Sequence, residues 1–215
     1  MEITWYGHSC FRLTERGLAT IVTDPYDNSI GYDSPRLKAD IVTVSHDAPG
    51  HNNVEAVKGA RPITGPGEYE IGGVFITGIS THRPDKRKKD ENGSKNTLYL
   101  FDFDGLTVAH LGDLDHVPTQ TQIEDLGTVA VALVPVGGGG GLNASQAAEV
   151  ISLIEPSIVV PMHYKTNNVT LKLDPLSKFL KEMGLSTVKA EDSLTVKKGS
   201  LPEETHVAVL DYKRS

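Results

Sequence analysis

Ser45-His46-Asp47-Ala48-Pro49-Gly50-His51-Asn52 breaks off a compact β-branched run at 41–44 and carries two histidines into one loop. Outward from this stretch the pattern recurs. His82 follows a strand expected over 74–79 after a short tether, and His110 and Asp113 follow a strand expected over 106–109. His163 follows a strand expected over 158–160 through Pro161 and Met162. Imidazole and carboxylate are the usual ligands of zinc and similar divalent metals, and rigid strand ends can aim them at a common point. Each histidine alone is better read as a strand cap or a carbonyl partner than as a ligand. Five such groups at four strand ends make coincidence a weaker explanation, while spacing alone does not establish that they converge.

Short strands are also expected over 3–6, 10–13 and 19–23, with Arg16-Gly17 as a hairpin turn, and over 97–103, with Asp104-Gly105 turning the chain into 106–109. The second half alternates strand and helix: a continuous apolar strand at 129–136, a helix over 144–154 capped by Asn143, a strand at 158–160, and a helix over 176–183 closed by Gly184. Near-continuous apolar strands imply a buried sheet with helices outside it. A further edge strand is expected at 205–210. No linker-like composition divides the chain, so residues 1–215 are read as one domain. The stretch 82–96 has no periodicity and is expected to be a mobile, solvated loop.

With 38% hydrophobic and 23% charged residues the chain reads as an ordinary soluble protein. No apolar run approaches the roughly 20 residues needed to cross a bilayer, so no membrane association is expected. The start, MEITWYGHSC, lacks a basic region followed by an apolar stretch and is read as carrying no secretory signal. The single cysteine, Cys10, excludes an intrachain disulfide and fits a reducing compartment; a cytoplasmic protein is expected. The net charge of -7 argues against nucleic acid as a partner. The basic residues Arg87, Lys88 and Lys89 are interleaved with Asp85, Asp90 and Glu91, as in a solvated loop.

The segments Trp5-Tyr6-Gly7-His8-Ser9-Cys10-Phe11, Ser45 to Asn52 as quoted, His110-Leu111-Gly112-Asp113 and Pro161-Met162-His163-Tyr164 together resemble the metallo-β-lactamase superfamily. The branch they are most similar to is the small metal-dependent hydrolases related to L-ascorbate-6-phosphate lactonase. The resemblance covers about residues 1 to 170. It implies an α+β fold, a four-layer αββα sandwich. It also implies metal ligands: His46 and His82 for one metal, His51 and His163 for a second, and Asp113 between them, with Asp113 the candidate catalytic group. The implied chemistry is metal-assisted hydrolysis of a small-molecule substrate of the lactone or phosphoester class.

The chain departs from the family's His-x-His-x-Asp-His motif at two places, Ala48 and Gly50, neither of which can bind a metal. The expectation is therefore a reduced site holding zinc, or manganese or iron, at about one per chain. The alternative is a metal-free descendant kept as a binding or scaffold module. Asp24 matches a family pattern and is a candidate to orient a ligand histidine. His8 and His110 are read as supporting or packing residues, and His116 as a surface residue. The glycine run 137–141 lacks the lysine and hydroxyl of a phosphate-binding loop; it is read as a bare, flexible site edge in preference to a close approach of the backbone to a ligand. The stretch 192–215 is left to pack on the sheet or on a second copy, which keeps a homo-oligomer open.

Overall fold

Strand alternation with period two decides which side chains meet between the sheets. The structure, a computed structural model, describes residues 1–82 and 95–214, with His82 described by its backbone alone. The first part of the chain forms β1 (Glu2–Gly7), β2 (Cys10–Thr14), β3 (Ile21–Thr23), β4 (Leu37–Lys38), β5 (Ile41–Thr43), β6 (Val57–Lys58), β7 (Arg61–Ile63) and β8 (Gly67–Ile71). Then come β9 (Val74–His82), β10 (Lys95–Phe103), β11 (Leu106–His110), α1 (Gln120–Leu126), β12 (Val131–Pro135), α2 (Ala144–Ile154), β13 (Ile158–Met162), α3 (Leu176–Glu182), β14 (Leu194–Thr195) and β15 (His206–Val207).

Among the described residues these strands make two facing sheets, ordered β14-β1-β2-β3-β5-β7 and β15-β13-β12-β11-β10-β9-β8, with β4 and β6 as a separate ribbon. Phe11, Leu13, Ile21 and Ile41 point from the first sheet into the core shared with the second. Their neighbours Cys10, Val22 and Val42 point the other way, into a smaller core with Tyr26, Ile30, Tyr32 and Val169. β12 and β13 are buried along their whole length, which is why they read as unbroken apolar runs. The apolar face of α2 (Ala147, Val150, Ile151 and Ile154) joins the same large core. The sandwich is thus the expected one. On the outer side of the first sheet, however, the described covering consists of 3₁₀ turns and the β4–β6 ribbon, with no α-helix.

Strand direction decides where the site falls. β1 is antiparallel to β2, and β2 to β3, while β3 and β5 are parallel, so β1, β3 and β5 end at one edge. In the second sheet the antiparallel pairs β9–β10 and β10–β11, followed by the parallel pairs β11–β12 and β12–β13, put the ends of β9, β11, β12 and β13 on a common edge as well. Tyr99 of β10 ties the sheets together there: its hydroxyl donates to the Val44 carbonyl at 3.0 Å and accepts from the Gly65 N–H at 2.8 Å.

Two expectations about 82–96 change. β9 runs unbroken through Gly78 to His82, and His82 pairs with Lys95 in register, so His82 belongs to the strand instead of following it on a tether. Asn96 likewise lies within β10. The backbone pairing of a nine-residue hairpin arm overrides the lack of side-chain periodicity. The basic cluster at 87–89 lies outside the described residues.

Candidate metal centre

The strand ends deliver their side chains to one place. His8 follows β1, Asp24 follows β3, His46 and His51 follow β5, Asp113 follows β11 and His163 follows β13. The ligand atoms of His46, His51 and Asp113 all lie within 4.8 Å of one another. His163 Nδ1 is 2.6 Å from Asp113 Oδ1. The two atoms are off the line that a hydrogen bond requires, and both are buried with no hydrogen-bond partner among the described residues. Four of the five expected ligands therefore converge. The side chain of the fifth, His82, lies outside the described residues, although its backbone ends the strand beside β10.

Asp24 organises this cluster. It is fully buried; its Oδ2 accepts from His51 Nδ1 at 2.9 Å and from the Ser45 hydroxyl at 2.6 Å, and its Oδ1 accepts from the Ser45 N–H at 2.7 Å. With its single hydrogen given to Asp24, the Ser45 oxygen accepts from His46 Nδ1 at 3.0 Å. Both histidines thus carry their proton on Nδ1 and present the Nε2 lone pair, the atom that binding a metal through Nε2 would use. Burial alone would raise the Asp24 carboxyl. His110 and the hydrogen bonds from His51 and Ser45 outweigh it and bring the carboxyl down to about 2. Burial likewise opposes ionisation of Asp113, and the surrounding His163, His51 and His46 hold it below the usual carboxylate range. Burial and the neighbouring imidazole of His51 keep His46 on the neutral side.

Two positioning groups were not singled out by sequence. Asn96 accepts from the Asp113 N–H through Oδ1 at 2.9 Å and donates through Nδ2 to the Leu111 carbonyl at 3.1 Å, so it holds the Asp113 loop in place. Ser45 stood in the quoted motif without a role. Nothing local in either residue marks it; only the Ser45–Asp24 and Asn96–Asp113 contacts do. His110 donates from Nε2 to the Ser9 carbonyl at 2.9 Å and accepts the Gly112 N–H at Nδ1, a satisfied packing residue as expected. His116 pairs with its neighbour Asp115.

The glycine run overturns its reading as a bare edge. A Cβ on Gly141 would stand 2.5 Å from Asp113 Oδ1, and one on Gly137 would stand 2.3 Å from the His163 carbonyl. At these two glycines the backbone approaches Asp113 and His163 too closely for any side chain. Strain collects at the same edge. His8, Asp24 and His163 adopt φ of 51°, 38° and 52°, left-handed values that non-glycine residues adopt rarely. Beside His46 opens a cleft of about 800 Å³ whose walls include Val44, Val54, Pro62 and Pro66, with Asp47, Thr64 and Lys95 among its polar members.

A sandwich whose strand ends gather histidines and a buried aspartate defines a metallo-β-lactamase-type protein, and the comparisons agree. Residues 2–163 match the family model of the β-lactamase superfamily domain, and the chain belongs to that superfamily. It is 30% identical over 208 residues to a UPF0173 protein of Pyrococcus furiosus, covering 85% of this chain and 90% of that one. It is 31% identical over 189 residues to a UPF0173 metal-dependent hydrolase of Methanoculleus marisnigri, covering 77% and 82%. A crystal structure from Thermotoga maritima, described as a proposed zinc-dependent hydrolase of the metallo-β-lactamase superfamily, superposes with a TM-score of 0.78 at 38% identity over 97% of each chain.

Proposed function

We propose that the chain is a metal-dependent hydrolase of small molecules whose metal, zinc or else manganese or iron, is held by His46, His51, Asp113 and His163, with His82 as a further ligand. The observation that carries this reading is the convergence of His46, His51 and Asp113 within 4.8 Å, next to a His163–Asp113 pair whose facing atoms have no hydrogen-bond partner. Neutral imidazoles and an ionised carboxylate are the donor set such metals take. When bound, the metal supplies Lewis acidity toward water and toward the oxygen of a carbonyl or phosphoryl group.

The chain's own groups do the rest. Asp24 and Ser45 hold the protons of His51 and His46 at Nδ1. Asn96 and the glycines at 140 and 141 fix Asp113, which in its ionised form is placed to take a proton from an attacking water. The cleft beside His46 is of a size that encloses small ligands, and its wall carries both a positive group, Lys95, and a negative one, Asp47, in keeping with a small polar substrate such as a lactone or a phosphoester. Among the described residues no helix is long and apolar enough to cross a membrane.

A second reading, a fold kept for binding alone, is favoured by Ala48 and Gly50, which leave two loop positions without a donor. Elemental analysis of the purified protein beside Asp113→Ala separates the two. About one metal per chain, lost in the variant, together with turnover of a lactone or phosphodiester panel, supports the hydrolase. No metal after incubation with zinc and manganese leaves the binding module.

A further inference from the structure

The room beside Gly50 is filled from another strand. His8 stands in the turn between β1 and β2, and its Nε2 lies 3.1 Å from His51 Nε2. A Cβ on Gly50 would come within 3.3 Å of the same His8 nitrogen. A side chain at position 50 and the His8 ring therefore compete for one space, and here the ring has it.

The pairing of these two nitrogens is incomplete in either tautomer. His51 has committed its Nδ1–H to Asp24, so its Nε2 is a lone pair. If His8 carries its proton on Nε2, it donates to that lone pair and strands its own Nδ1, which is buried without a hydrogen-bond partner among the described residues. If the proton is on Nδ1, an N–H is stranded instead and two lone pairs face each other at 3.1 Å. A shared cation relieves that second arrangement. Two nitrogens bound to one tetrahedral zinc at about 2.0–2.1 Å stand about 3.3 Å apart, close to the separation seen here.

The backbone is held for such a role. The His8 carbonyl accepts from Trp5 Nε1 at 3.0 Å and from the His163 N–H at 3.2 Å, which ties β1 to the end of β13. The His8 and His163 rings meet edge to face with centroids 4.3 Å apart. Its left-handed backbone, at φ 51°, is a conformation that this anchoring has to hold in place.

We propose that His8 is a metal ligand of this centre, its Nε2 joining His51 at the position where the 45–52 loop presents only Gly50. The proposal rests on the metal-centre reading above. It follows that a neutral imidazole stands where a carboxylate is missing, so the bound cation keeps more of its positive charge than a carboxylate would leave it.

The test loads the full-length protein, with ¹⁵N-labelled histidine, with ¹¹³Cd and records cadmium–nitrogen couplings. The expected result is a coupling at His8 Nε2 alongside that of His51. His8→Ala should then weaken cadmium and zinc binding by more than the about 10–100-fold that loss of an outer partner costs, measured by chelator competition. Cadmium coupled to His51 or His163 with His8 uncoupled and protonated at Nε2 would overturn the inference and leave the metal centre standing. Absence of any cadmium coupling would overturn both. The wild-type spectrum decides the point even if His8→Ala fails to fold.

Discussion

The two edges of the sandwich are built from the same strands and differ in almost everything else. At one edge lie the tight turns: Arg16-Gly17, Gly72-Gly73 and Asp104-Gly105, the last joining β10 to β11 with left-handed values at both residues. Its polar contacts lie nearer the surface, such as Lys198 Nζ donating to the Asp104 carbonyl at 3.1 Å and the Met1 amino group against the partly exposed Glu15. At the other edge, buried or half-buried histidines and aspartates from five strand ends meet, three of them with strained backbones. The first edge needs only to reverse the chain. The second holds buried polar groups that are costly unless each has a partner, and several of them, among them His8 Nδ1, His163 Nδ1 and Asp113 Oδ1, have none among the described residues.

Substitutions sharpen this contrast. The largest effect is expected from Asp113→Ala, which should abolish metal uptake by elemental analysis while the circular dichroism spectrum stays native; retained metal would break the contrast at its centre. Next is Gly141→Ala. Its Cβ would collide with Asp113 Oδ1, so metal affinity should fall by about 10–100-fold, as for loss of an outer partner, in chelator titration. Gly17→Ala, at the turn edge, meets nothing within 4 Å but sits at φ 83°. It should cost about 1–2 kcal/mol in denaturant unfolding and leave metal affinity unchanged.

Asp24→Asn should lower metal affinity by about 10–100-fold and also alter acid stability. The native carboxyl sits at about 2, below its ordinary unfolded value of about 3.9. Its contribution is therefore complete above pH 4 and is lost as the pH falls through about 2. Acid titrations of the metal-free protein should show the variant less sensitive over that window. Tyr99→Phe removes the donor to the Val44 carbonyl and the acceptor of the Gly65 N–H, and should cost about 1–3 kcal/mol of stability by urea unfolding. The smallest effect belongs to Lys198→Ala at the turn edge, within about 0.5 kcal/mol and silent in metal binding.

How much was legible beforehand follows the same division. The turns at Arg16-Gly17 and Asp104-Gly105, the buried strands β12 and β13, and α2 with its Asn143 cap are written in local residues, and their physics is local too. β8 and α1 were not anticipated. β8 is a half-exposed edge strand with a glycine at its start, and α1 is short, with a single buried residue, so neither carries a strong period. The histidines and Asp113 were visible as residues of the right kind after strands. Their convergence depends on strand order and direction, which no local signal contains.

By itself, the sequence determined that strands would end in imidazoles and a carboxylate, that positions 48 and 50 carry no donor, and that glycines crowd one connection. Only the tertiary structure decided that Asp24 and Ser45 set the tautomers of His51 and His46, that Asn96 holds the Asp113 loop, that the glycines press against ligands, and that His8 fills the space beside Gly50. Residue type and local backbone preference act over a few positions of the chain. A centre made from β1, β3, β5, β11 and β13 exists only once the sheets pair and pack, because separations of a few ångströms between its atoms are fixed by contacts more than a hundred residues apart in the chain.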